Sequence, residues 1–91
     1  MADKPQLWAL IWHDTHVDPE VIVGTEEQVQ RELVRRTVEY LRSHPWPEHQ
    51  TAGRALAAKH DLAEAVEACF EYLGERVEYI QTWIVEASRP D

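Results

Sequence analysis

The chain has 91 residues, 44% of them hydrophobic and 29% charged, and nine Lys and Arg stand against seventeen Asp and Glu for a formal charge of -8. A domain of this size buries roughly 60–65% of the surface its unfolded chain exposes, enough for one small core and not two. So acidic a balance excludes direct nucleic-acid binding through bulk charge and docking on anionic lipid, both of which need basic surface.

The longest apolar run, Leu7 to Trp12, is six residues, far short of the ~20 that span a bilayer. The one cysteine, Cys69, leaves no intramolecular disulfide, and a reducing, cytoplasmic setting is the simpler expectation. No Gly-rich phosphate loop and no nucleophile-elbow serine is present, so neither a cofactor nor an enzymatic activity is expected.

Gln6 to Asp14 reads as a strand. Leu7, Ala9, Ile11 and His13 line one face; Trp8, Leu10, Trp12 and Asp14 line the other. Asp14 to Pro19 is turn chemistry, and Glu20 to Gly24 is a second short strand, so the two make a hairpin with a longer loop. Thr25 opens a helix through a capping box with Gln28, and Val29, Leu33, Val34, Thr37, Val38 and Leu41 form its apolar stripe. Glu27–Arg31 and Glu32–Arg36 are spaced as i,i+4 ion pairs. Pro45 ends this helix near Ser43.

Residues 44–50 read as a connector, and Thr51 to His60 as a short helix weakened by Gly53. Asp61 opens another helix, with Leu62, Ala65, Val66, Cys69, Phe70 and Leu73 inward and Gly74 as its C-terminal stop. Arg76 to Glu86 then alternates as a strand, with Val77, Tyr79, Trp83 and Val85 on one face and Ile80 and Ile84 on the other. The ends, residues 1–5 and 87–91, read as loose. The expected fold is a single α+β domain, β-β-α-(α)-α-β, with a mainly antiparallel three-stranded sheet in order 2-1-3 and helices on one face.

Three clusters carry chemistry. His13, Asp14, His16 and Asp18 fall within six residues; imidazole and carboxylate suit Zn²⁺ and similar ions. The set lacks a further ligand unless His44, His49 or His60 folds back, and the plainer account is that Asp14 and Asp18 cap the turn. From Asp61 onward, eight acids and two bases give -6 of the total charge. Glu64, Glu67, Glu71 and Glu75 run along one side of the helix, where like charges cost about 0.2–0.5 kcal/mol per pair. Carboxylates about 5–6 Å apart imitate phosphate spacing, so this ridge either serves solubility or faces a basic, nucleic-acid-binding partner protein.

The third cluster is aromatic. Helices cover only one face of a three-stranded sheet, so either Trp8, Leu10 and Trp12 or Leu7, Ala9 and Ile11 are left over, unless Trp46 folds under to cover them; Trp8, Leu10 and Trp12 are the residues expected to serve self-association or a partner. The expected function is a small acidic protein-binding module, an inhibitor or accessory subunit, acting on a basic partner and able to form a homodimer. The competing expectations are a metal-binding turn and a structural subunit of a larger assembly.

Overall fold

The computed structural model describes residues 6–87. The elements run β1 (Trp8–Asp14), β2 (Glu20–Gly24), α1 (Glu26–Ser43), α2 (Pro47–Ala57), α3 (Leu62–Arg76) and β3 (Ile80–Glu86). The fold is α+β, and the sheet order is β2-β1-β3 with both pairings antiparallel, as the hydrophobic patterning predicts.

Local chemistry explains the element ends. The Thr25 hydroxyl accepts from the Gln28 N–H, and the Gln28 side chain accepts from the Thr25 N–H, which closes the capping box at the start of α1. The Asp61 carboxylate caps α3 by accepting from the Glu64 N–H. Both spaced ion pairs of α1 form, Arg31–Glu27 at 3.4 Å and Arg36–Glu32 at 2.8 Å.

Several boundaries differ from the expectation. Residues 47–50, read as part of a connector, are the first turn of α2, which ends at Ala57 and not at His60. Pro47 sits at its start, where a missing N–H costs nothing, and His49, Gly53 and Leu56 recur at helical spacing on its buried side. Helix α3 runs through Gly74 to Arg76, and no glycine adopts positive φ. Val77 closes it, with its N–H donating to the Leu73 carbonyl at 3.1 Å. Val77 is buried in the core, so it extends the helical stripe of Cys69 and Leu73 and does not share a strand face with Trp83. The strand starts only at Ile80.

The helices lie on the face of the sheet that carries Leu10 and Trp12. Those two join Val29, Leu33, Leu41, Leu56, Val66, Cys69, Leu73, Val77 and Ile80 in one core. Helices α1 and α2 approach closely at Gly53, where a Cβ would stand 3.1 Å from the Leu41 Cβ and 2.9 Å from the Arg42 Cγ. Of the expected loose ends, residues 1–5 and 88–91 lie outside the described residues. Ala87 is held, with its N–H donating to the Leu7 carbonyl at 2.8 Å. Among the described residues, no helix is long and apolar enough to cross a membrane.

Candidate functional site

Strand alternation and the position of the helices together decide which sheet face is open. The face with Trp8, Leu10 and Trp12, expected to make the contact, is instead the covered one: Leu10 is fully buried and Trp12 is 9% exposed. The stripes of α1 and α3 need a wide apolar floor, and two indoles and a leucine supply it. The open face is therefore the other one.

That outer face has a definite layout. Ala9 sits between Val23 on β2 and Val85 on β3; one step along, Ile11 sits between Val21 and Trp83; His13 lies opposite Gln81. Val21 is 61% exposed, Val23 57% and Trp83 44%, and Leu7 and Val85 are exposed as well. Only Ala9 is buried, as the small residue between two valines. Among the described residues the face carries no Asp, Glu, Lys or Arg. Trp46, the proposed cover, is exposed elsewhere, stacked between His44 at 4.9 Å and His49 at 5.1 Å between ring centroids.

The His–Asp turn separates its members. His13 stands on the outer face, whereas Asp14, the next residue, points to the opposite side. The Asp14 carboxylate accepts from the His16 backbone N–H at 2.9 Å, and its Oδ1 lies 3.0 Å from His16 Nδ1. That backbone N–H holds the Asp14 carboxyl below its ordinary value. Asp18 is exposed in the loop. Among the described residues, no group of three or more His, Cys, Asp or Glu converges as a metal site.

A ring cluster that the sequence reading missed joins all three helices. His49 is buried, and its Nδ1 shares a 2.6 Å hydrogen bond with the Tyr72 hydroxyl. His44 packs edge-on against His49 at 4.7 Å. The hydroxyls of Tyr40 and Tyr79 hydrogen-bond to each other, which ties α1 to the segment before β3. Burial, helped by His44, pushes the His49 imidazole below its ordinary value, and burial pushes the Tyr72 phenol up. These groups pack into a seam that ties the helices together. The signal for it was Pro47 at a helix start, which places His49 one turn in.

Cys69 is fully buried against Thr37, and burial pushes its thiol up, so it behaves as a core residue and not as a nucleophile. The acidic ridge is where the spacing put it. Glu64, Glu67, Glu71 and Glu75 are all exposed on α3, and among the described residues none of their carboxylates is in an ion pair. The neighbouring base, Arg76, is already taken by Glu48 at 2.8 Å. Three arginines of α1 are likewise taken: Arg31 pairs with Glu27, Arg35 binds Glu32 and Glu39, and Arg36 binds Glu32 and reaches Glu20 on β2.

Comparison with known proteins finds no matching family, no matching curated protein and no matching solved structure.

Proposed function

We propose that the chain is a small, acidic, non-enzymatic protein-binding module whose contact surface is the outer face of its sheet. One observation carries this reading: in a chain of formal charge -8, a largely apolar three-stranded face with no Asp, Glu, Lys or Arg among the described residues stands open. Monomeric proteins seldom leave such patches uncovered.

The occupant that fits is a second copy of the chain. An uncharged, flat sheet suits another uncharged, flat sheet, and sheets stack about 10 Å apart. A face-to-face pair turns both sets of helices outward, so the acids of α3 stay far from the interface and their repulsion is screened. Three strands about 4.8 Å apart, with residues about 3.3 Å apart along each, give a face on the order of 300 Å² in projection. Two such faces bury on the order of 600–1,000 Å² with side-chain relief, at the low end of specific interfaces, so micromolar affinity is expected. The acidic ridge on the far side would remain free for a basic partner protein, in the manner of an inhibitor or accessory subunit.

Sedimentation velocity over a concentration series tests the pairing. The wild type should move from monomer to dimer in the micromolar range, and Val23→Lys with Val85→Lys should stay monomeric while keeping its circular dichroism. A wild type that stays monomeric at millimolar concentration removes the sheet face from the function.

A further inference from the structure

The two edges of the sheet are protected very differently. Natural edges are blunted by charge, proline, bulges or short length. Strand β2 has five residues, begins at Glu20 and is clamped through that residue to Arg36 at 2.8 Å. Strand β3 has seven residues, and from Ile80 to Val85 it carries no charge and no proline.

Its open backbone groups can be assigned. In the β1–β3 register, Thr15 pairs with Tyr79 and Leu7 with Ala87 through N–H to O bonds of 2.9 and 2.8 Å. Bonded pairs alternate in an antiparallel ladder, so the odd-numbered residues of β3 bond inward to β1. Thr82 and Ile84 therefore aim their N–H and C=O away from the sheet, and among the described residues no strand meets them.

Beside this edge runs a groove of about 340 Å³ between β3 and α3, lined by Phe70, Leu73, Gly74, Val77, Ile80 and Thr82 among others. That volume is at the small end of ligand clefts. Gly74 keeps it open. A Cβ there would meet nothing within 4 Å, although glycine inside a helix costs about fivefold in the helix equilibrium against alanine. Glu67 and Glu71 stand two turns and one turn before Gly74 on α3, and Glu78, past the end of the helix, lines the groove itself.

We propose that the β3 edge takes up an extended segment of a partner protein as a fourth strand, one that alternates Lys or Arg with β-branched residues. Main-chain bonds to Thr82 and Ile84 would hold it, as in other strand-addition complexes. Its basic side chains would lay their aliphatic stems over Phe70, Leu73 and Gly74 and carry their charges out to Glu67, Glu71 and Glu78. Its β-branched residues would continue the outer face beside Trp83 and Val85. The proposal specifies the basic partner of the preceding reading and rests on the edge and the groove, not on the face-to-face dimer.

Fluorescence anisotropy with a labelled peptide alternating lysine and valine, titrated with the full chain, tests it. Saturable binding is expected, weakened by salt and weakened about tenfold or more when Thr82→Pro removes one outward N–H. Proline is tolerated where the N–H faces solvent on an edge. Should Thr82→Pro fail to fold, Gly74→Leu fills the groove from a position with open space and should give the same loss. A peptide alternating lysine with proline has equal charge and cannot form a ladder; equal binding of that peptide, no binding of the first, or indifference to both variants overturns the proposal. Sedimentation of the same samples separates the two ideas, since a dimer that persists while the peptide fails leaves the sheet-face reading standing.

Discussion

The two faces of one sheet, built from the same three strands, behave as different materials. On the inner face Leu10, Trp12 and Ile80 are sealed under α1 and α3. On the outer face Val21, Val23 and Trp83 keep about half their surface in water. Residue type does not separate them, because both are aliphatic and aromatic. The difference comes from where the helical stripes land, and it teaches that hydrophobicity marks a surface as sticky without saying what it sticks to.

The largest expected effect sharpens this contrast directly. Leu10 is fully enclosed, so Leu10→Ala should cost about 3–5 kcal/mol, the sum of lost transfer energy and a residual cavity. Val23, in the row beside Ala9 on the outer face, should cost well under about 1 kcal/mol when changed to alanine at monomer concentrations. Urea unfolding of both variants in dilute solution checks the pair. Similar losses would mean that Val23 is as enclosed as Leu10 even in the monomer, and the contrast between the two faces would fall.

A second test acts on the layer that closes the inner face. At Gly53 the backbone of α2 rides against Leu41 and Arg42 of α1. The Leu41 Cβ is fixed to its helix and cannot swing aside, so Gly53→Ala should push the helices apart and cost about 1–3 kcal/mol as overpacking, outweighing the helix-propensity gain of about 1 kcal/mol that alanine brings. Thermal melts decide the sign. A stabilised Gly53→Ala would show that α2 can shift outward freely and that the cover over the inner face is looser than its contacts imply.

Much of this arrangement was legible in the sequence, and the exceptions share a cause. Capping residues and period-two and period-3.6 patterns depend on neighbours along the chain, so the order of strands and helices, the Thr25 cap and the α1 ion pairs could be read directly. What could not be read depended on partners far away in the chain. Both faces of β1 are apolar, so alternation alone does not say which one the helices cover, and the expectation that Trp8, Leu10 and Trp12 make the contact surface fell on the covered face. Val77 extends α3 because the core has room for it, while its β-branched side chain argues for strand. His49 and Tyr72 are 23 positions apart, and nothing local announces their bond. The acidic ridge was visible because a helix face is a local pattern; the groove beside it needs α3 and β3 placed together.

The smallest effect concerns the clamp that fastens the covering layer to the sheet. Arg36 bridges Glu32 on its own helix and Glu20 on β2, each at 2.8 Å, and Glu32 also binds Arg35 at 2.6 Å. The Arg35 and Arg36 guanidiniums hold the Glu32 carboxyl at about 2, against an ordinary 4.5. A carboxylate depressed in the folded state contributes its full stability above its unfolded value and loses it as pH falls through the folded one. The loss therefore runs from pH 4.5 down to about 2. Its size is about 1 kcal/mol, less than the shift alone would give, because Arg35 is largely exposed and solvent screens the pair. Urea midpoints should drop across that window in the wild type, and Glu32→Gln should start lower and show a flatter acid slope. The outer face has no carboxylate to protonate, so its self-association should not weaken over the same range. If dimer and fold weaken in step, the clamp is also bracing the open face, and the two sides of the sheet are mechanically one.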